Sequence, residues 1–480
     1  MVGEYFPHEG RGAEFEDKPG EECGVFGIYA PGEDVAALTY DALFALQHRG
    51  QDAAGVAVSY NGGSIMGVAD LGKIEEALHF GADLAGLPAS GLAIGHVRYS
   101  TNETKSKRQA AQPMMGGDRN TKFALGHNGH LVNYDNLKRA DPNQEDYPTD
   151  SRLITDMISR ELERGAGLYD ALVSSTRQLN GAYSLVVMGE NKLFGIRDPK
   201  GFRPLMVGKL PNNGWALASE VSALNIIGAE FEREVEPGEF VEIDTEGLKS
   251  HKPFDPSEVE TKLCAFEFVY FSRPDNVLEG ELVASTRRRA GIELAKLFPV
   301  EADLVADAPD SGTPAAKGYA YQTGLPLLEA LVKNRYVGRS FIAAGQANRE
   351  NMIDSKFSAV REIVEGQRLV LVDDSIIRGS TTKKLVNMLF KAGAKEVHLR
   401  IASAPYAWPC FMGMDTGDRQ KLMAKDMSVE EIRAAIGADS LAYLPAESLE
   451  RTFGRAAGKV CMACMTGEYP IPIPEELLQT

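Results

Sequence analysis

The sequence predicts a two-domain chain mixing α/β and α+β architecture, with a mainly parallel sheet in its C-terminal half. Three observations carry that expectation. At 480 residues the chain exceeds what one ordinary hydrophobic core organises. A strand–turn–helix unit occurs twice beyond residue 300, first over 303–320 and again over 369–393. Between the two halves, residues 245–260 are polar, include Pro253 and Pro256, and read as a linker.

The later unit is the more informative. Leu369 to Val372 is an apolar run bounded by charge, which suits a buried parallel strand. Asp373 and Asp374 stand where that strand ends. A turn follows through Arg378, with Gly379 as its flexible point and hydroxyls at Ser380, Thr381 and Thr382. Leu385, Met388, Leu389 and Ala392 then share one helical face, and Gly393 suits the C-cap. Free N–H groups and the helix dipole attract a phosphate, and the hydroxyls add donors. The two carboxylates suit ribose hydroxyls and a magnesium ion. An acidic pair at a strand end commonly means only a solvated turn, and it is the Arg-Gly-Ser-Thr-Thr run that points to a sugar phosphate. No Gly-Lys-Ser/Thr closes the turn, so it is not a Walker A loop. The stretch resembles the signature of type I phosphoribosyltransferases, which bind phosphoribosyl pyrophosphate (PRPP).

The earlier unit follows the same logic. Leu304 to Ala306 is the strand, Asp310, Ser311, Gly312 and Thr313 form the turn, and Pro314 suits a first helical position. Alone such a turn is a weak signal; beside the acidic strand end it suits a pyrophosphate. Residues 333–341, with Lys333, Arg335, Tyr336 and Arg339, form a basic, aromatic segment. It reads as an ordinary charged surface loop or as a lid that excludes water from a cationic transition state. Arg361 is a further candidate anion contact.

Composition bounds the partners. The chain is 44% hydrophobic and 25% charged, as globular proteins are. A net charge of −17 argues against a nucleic-acid surface or an anionic membrane partner. No apolar run approaches the roughly 20 residues that span a bilayer. Residues 1–22 lack the apolar centre of a secretory signal, so a cytoplasmic location is expected. Five cysteines in so long a chain do not make a disulfide scaffold.

Cys23 stands alone near the N-terminus, at the start of a short strand pattern. By itself it reads as a buried small hydrophobe. Downstream, 95–101 (Gly-His-Val-Arg-Tyr-Ser-Thr) and 126–129 (Gly-His-Asn-Gly) each follow short apolar runs and read as strand ends. Asp150 falls in a polar loop before a helical pattern at Leu153, Ile154, Met157 and Ile158. The planar fork of Arg98 suits a carboxylate, and Asp150 suits an ammonium. Asn128 and the Gly129 N–H suit an oxyanion. These groups match the ends and the reacting amide of glutamine.

From Cys23 to about Asp244 the chain resembles the class II glutamine amidotransferases, whose N-terminal-nucleophile domain has αββα layers. The resemblance implies that residues 1–22 are a propeptide and that Cys23, once N-terminal, attacks the amide with its own amine as base. It also implies that Arg98 and Asp150 bind the glutamine α-carboxylate and α-amino group. Gln47 to Asp52 and Arg197 to Gly201 look like family segments for packing and domain contact. Asn102 to Lys107 depart from the small, Gly-containing stretch of that family, and His130 stands where Asn is usual.

Cys264 opens a strand-like aromatic run, Cys410 follows Pro409, and Cys461 and Cys464 form a Cys-x-x-Cys pair. Four thiolates suit a structural zinc or an iron–sulfur cluster, and from the residues alone they equally suit unrelated buried thiols. Their surroundings resemble the [4Fe–4S] branch of the PRPP amidotransferases, which implies a structural cluster, with zinc as the alternative. That family resemblance extends from Cys23 to about Tyr469. It implies a glutaminase domain over 23–245, a linker over 246–262, a phosphoribosyltransferase domain over 263–469 and a tail over 470–480. The implied reaction transfers the amide nitrogen of glutamine to PRPP, opening purine nucleotide synthesis. Magnesium would be held through Ser311, Asp373 and Asp374. Feedback inhibition by purine nucleotides and a homotetramer are also implied. Two other readings share these residues: an ammonia-using enzyme with a weakened glutaminase half, and a PRPP-sensing regulator.

Overall fold

The computed structural model describes residues 23–79, 83–99, 108–141, 147–334, 356–414, 416, 420 and 422–478. Residues 1–22, the 102–107 departure, and Arg335, Tyr336 and Arg339 lie outside them.

The strand Gly24–Tyr29 is buried along its whole length. Alternation sends Phe26 and Ile28 to one face, under the helix Val35–Ala45, and Val25 to the other, against a second sheet. Its sheet has seven strands in the order Glu230–Glu234, Met206–Lys209, Trp215–Ala218, Gly24–Tyr29, Leu92–Arg98, Ala53–Tyr60, Ser64–Leu71. The second sheet has six: Gly247–His251, Phe240–Asp244, Lys192–Arg197, Gly181–Gly189, Lys122–Leu131, Met114–Gly117. Both are antiparallel. Val25, Ile94, Val186 and Leu217 are among the side chains sealed between them. The helices Asp150–Glu163 and Leu168–Thr176 cover the outer face of the second sheet through Ile154, Ile158 and Leu172. The layers are therefore αββα, as expected.

The segment read as a linker is partly structured. Gly247–His251 turns back on Phe240–Asp244 and forms the edge of the second sheet. Its polar composition suits an edge strand with one solvated face, which sequence alone does not separate from a loop. The strand-like run after Cys264 is also different from expectation. Only Leu263–Cys264 is extended, paired in parallel with Val460–Cys461, and Glu267–Phe271 coils into a π-helical turn. Burial of Phe266, Phe268 and Phe271 drives this segment, and apolar density alone does not choose between strand and helix.

The C-terminal unit is built on a parallel sheet in the order Leu304–Asp307, Arg368–Asp373, Glu396–Ile401, Ser440–Tyr443. The helices Thr313–Thr323 and Ser380–Lys391 follow the first two strands. Ligands of such sheets lie beyond the carboxyl ends of the strands, where both predicted turns emerge. The units meet through buried polar contacts. Arg49 pairs with Glu267, Glu220 accepts from the Arg273 N–H at 3.1 Å, and Arg203 donates to the Met412 carbonyl.

Candidate functional sites in the two units

Cys23 is half-buried immediately before the central strand of the first sheet. Its Sγ lies 3.7 Å from the Tyr99 carbonyl oxygen, and its own carbonyl accepts from Arg49 Nε at 3.2 Å. Gly24 is in register with Val97 on the adjoining strand, so Arg98 reaches the end of the ladder beside the cysteine. Arg98 is buried, which pushes its guanidinium pKa down. The charges of Cys23, Asp52 and Asp150 act in the other direction, so the predicted nucleophile and both predicted substrate contacts share one electrostatic neighbourhood.

Asp150 is the first residue of its helix, behind Thr149, whose hydroxyl accepts from the Arg152 N–H at 3.2 Å. Its carboxylate accepts from the N–H groups of Ser151 at 2.8 Å and Leu131 at 3.3 Å. His130, the departure from the family pattern, places Nδ1 3.6 Å from it. Asn128 and Gly129 sit inside the Lys122–Leu131 strand and not at its end, because the Gly181–Gly189 strand pairs through them to Leu131. Asn128 is 1% exposed, and its side-chain nitrogen has no hydrogen-bond partner among the described residues. A buried donor of that kind is costly unless a ligand takes it, which suits an oxyanion contact.

Sequence reasoning gave no role to several residues behind this site. His96, two residues before Arg98, lies within 2.9 Å of the His127 carbonyl through Nε2. That bond joins the two sheets between the Arg98 strand and the Asn128 strand. Burial lowers the His96 pKa to about 3, so the ring is neutral. Gln112, Ser151 and Arg49 were equally silent, although His96, His127 and Arg49 fall inside stretches already singled out.

In the C-terminal unit the acidic pair is buried at the end of its strand. Ser311 Oγ donates to Asp374 Oδ1 at 2.6 Å, so the two predicted turns close on each other. Ser375 Oγ donates to Asp374 Oδ2 at 2.7 Å, and Asp373 Oδ1 accepts the Asp374 N–H at 2.8 Å. Gly379 has φ +75° and serves as the N-cap of the next helix, presenting the start of Ser380, Thr381 and Thr382 to the turn. Asp310 pairs with Lys333 Nζ at 2.7 Å, which ties the root of the basic segment to the first turn. Gly312 lies against the Val372 carbonyl, 2.6 Å from where a Cβ would stand. Arg378 is half-buried between the acidic pair and Gly379. Arg361 is instead engaged with Glu365 at 2.8 Å on the surface. Arg287 was not anticipated. Burial pushes its pKa down to about 10, and Asp374 is first among the charges opposing that shift.

Of the four C-terminal cysteines, Cys264 and Cys464 are buried and Cys410 and Cys461 are half-buried. Cys264 is in register with Cys461, and the Cys464 carbonyl accepts from the N–H groups of Ala407 and Trp408, both at 3.0 Å. Cys410 Sγ accepts from the Met412 N–H at 3.4 Å. Burial pushes the Cys461 thiol up to about 12, with Cys410 adding to the rise. Burial, and then Cys410, Cys264 and Cys461, push the Cys464 thiol well above its ordinary value. Cys464 therefore lies within the fields of the other three. Among the described residues no three His, Cys, Asp or Glu side chains are grouped to hold a single metal ion. No helix of the described residues is long and apolar enough to cross a membrane.

An αββα unit with a cysteine at the head of its central strand, joined to a parallel sheet with an acidic strand end and a Gly turn, defines a glutamine amidotransferase coupled to a phosphoribosyltransferase. Residues 96–226 match the glutamine amidotransferase domain model. The chain is 44% identical to the amidophosphoribosyltransferase of Synechococcus elongatus, covering 97% of this chain and 94% of the relative. The structure of the glutamine PRPP amidotransferase from B. subtilis, complexed with ADP and GMP, aligns with a TM-score of 0.87 at 41% identity, covering 95% of this chain and 98% of that one. A structure described as the allosteric regulatory enzyme of purine biosynthesis aligns at 0.88 and 41% identity, covering 95% and 97%. The chain belongs to the amidophosphoribosyltransferase family.

Proposed function

We propose that this chain transfers the amide nitrogen of glutamine to PRPP, giving 5-phosphoribosylamine, glutamate and pyrophosphate, at the entry to purine nucleotide synthesis. What carries the reading is the pairing of two complementary sites in one chain: Cys23 with Arg98, Asn128 and Asp150, and Ser311 with Asp374.

Removal of residues 1–22 frees the α-amine of Cys23, which takes the thiol proton. The sulfur then attacks the amide carbon while Asn128 and the Gly129 N–H receive the oxyanion. The amine returns the proton to the departing nitrogen, which leaves as ammonia, and water hydrolyses the thioester to glutamate. Arg98 and Asp150 hold the two ends of the amino acid throughout. In the second site the helix start at Ser380 to Thr382 binds the 5-phosphate, and Asp373 and Asp374 hold the ribose hydroxyls. The turn from Asp310 to Gly312 cradles the pyrophosphate. Magnesium, when bound through Ser311, Asp373 and Asp374, neutralises that leaving group. Ammonia, with its lone pair intact, adds at the ribose C1 as pyrophosphate departs. Internal delivery avoids conversion to ammonium in neutral water. Lys333, paired with Asp310, leads into the basic segment that the sequence reads as a lid.

Cys264, Cys410, Cys461 and Cys464 suit a [4Fe–4S] cluster by donor type and by the field of the other three on Cys464, and its role is structural because the reaction moves no electrons. Purine nucleotides are read as feedback inhibitors, a reading supported by the nucleotide complex of the B. subtilis relative. The assembly is read as a homotetramer. The test is turnover by a Cys23→Ala variant, where glutamine-dependent pyrophosphate release is abolished and ammonia-dependent release is kept. Loss of both, or of neither, sinks the proposal. An intact mass starting at Cys23 checks the processing step.

A further inference from the structure

Behind Asp150 lies a set of buried polar side chains that the reaction, as proposed, does not use. Ser151 Oγ accepts from Gln112 Nε2 at 3.1 Å and lies 3.0 Å from His127 Nδ1 and 3.4 Å from Asp150 Oδ1. Gln112 Oε1 accepts the His127 backbone N–H at 2.8 Å. Gln112, Ser151 and His127 are each less than 5% exposed, so water does not complete these bonds. Ser151 Oγ donates to Asp150 Oδ1, while the Gln112 amide and His127 Nδ1, itself 3.7 Å from Asp150 Oδ1, hold the same oxygen from the other side.

We infer that Gln112 and Ser151 are positioning residues for substrate choice. They orient the Asp150 carboxylate against the α-ammonium of the substrate and so set the preference for an amide that carries an α-amine. The inference rests on the proposed assignment of Asp150 to that ammonium. The two backbone donors to Asp150 come from its own helix start and from the Leu131 strand end. The hydroxyl adds a third donor, whose direction is dictated by side chains from two other segments. Removing Ser151 Oγ strips that donor and takes from the buried Gln112 amide its acceptor.

The test compares glutamine with glutaramate, the same amide without its α-amine, on the full-length processed enzyme. Ammonia-dependent pyrophosphate release serves as the control for folding and for the second site. In Ser151→Ala, kcat/KM for glutamine is expected to fall about tenfold, chiefly through KM, and that for glutaramate by less than about twofold. Gln112→Met, which keeps the side-chain volume, is expected to shift the same ratio and serves if Ser151→Ala does not fold. The double variant should be little worse than either single one, because the residues act as a unit. A ratio unchanged in the folded variants, with Asp150→Asn collapsing it, overturns the positioning role alone. A ratio that survives Asp150→Asn overturns the assignment of Asp150 and the relay with it.

Discussion

Glu267 accepts from both terminal nitrogens of Arg49, at 2.6 and 3.0 Å, and the same guanidinium donates through Nε to the Cys23 carbonyl at 3.2 Å. Arg49 also pairs with Glu220 at 2.7 Å, and Ser272 Oγ donates to Glu267 at 2.6 Å. Arg287 donates to the carbonyls of Phe268 and Ser272 and feels the charge of Asp374. A continuous buried path thus joins the backbone of Cys23 to the acidic turn of the other unit.

Removing Glu267 breaks one side of a buried pairing that Arg49 shares with Glu220. Breaking a buried pair from one side is costly, so Glu267→Ala is expected to lose roughly 3 kcal/mol of stability. Glutamine-dependent turnover should fall further than ammonia-dependent turnover, since the Cys23 carbonyl loses its oriented donor. Denaturant unfolding and the two rates check this. An unchanged midpoint, or equal losses in both rates, would show that the pair is a passive contact.

The stability–pH curve separates two buried groups of opposite sign. His96 titrates at about 3 in the fold because burial disfavours its cation, and unfolding restores the ordinary value near 6.5. Below 6.5 the unfolded chain binds the extra proton, so this contribution is complete above 6.5 and is lost as pH falls to about 3. Glu234 behaves in reverse. Burial, reinforced by Glu279 and opposed by Arg197, raises it to about 7 from 4.5. The native state keeps its proton longer, so that contribution is complete below 4.5 and is lost as pH rises to about 7. Each slope is about 1.4 kcal/mol per pH unit where only one state is protonated. Relative to wild type, His96→Gln should flatten the acid-side loss and Glu234→Gln should flatten the neutral-side loss. Parallel curves for all three proteins would refute both assignments.

What was legible in the sequence is what short-range pattern encodes. The apolar run, acidic pair, Gly379 and helix of 369–393 are consecutive, so each constrains the next, and the structure keeps them nearly residue for residue. Asn128 and Gly129 were read at a strand end and lie inside a strand, because the strand that pairs through them begins at Gly181. Glu267 was invisible. Its partner Arg49 is 218 residues away, and the aromatic run around it gives no sign of a helical turn. Gln112 and Ser151 were silent for the same reason: a hydrogen-bond relay between segments leaves no period in the sequence.

If the four cysteines hold a [4Fe–4S] cluster, protein purified without air should carry iron, acid-labile sulfide and visible absorbance, and Cys461→Ser should lose all three. Because Phe411 and Met412 beside Cys410 pack on Val132 and Ala182, the loss should also slow glutamine-dependent turnover. Stoichiometric zinc in place of iron would decide for the alternative, and a wild-type protein with neither metal would leave four structural thiols.

Gly129 gives the sharpest single-residue test of the first site. Its φ is +152°, and a Cβ added there would stand 2.0 Å from the Ala182 carbonyl oxygen and 2.6 Å from its carbon. Both atoms belong to the backbone of the paired strand, so neither can rotate away as a side-chain tip would. Gly129→Ala must push the two strands apart at the residue next to Asn128, moving both proposed oxyanion donors. Losing one such donor typically costs about 10²–10³ in rate, and glutamine-dependent kcat is expected to fall by about that factor. Ammonia-dependent turnover, whose residues lie on the other sheet system, should stay near wild type. A Gly129→Ala enzyme that still hydrolyses glutamine at the wild-type rate would place the oxyanion elsewhere, and Asn128→Ala would then show whether the buried amide acts alone.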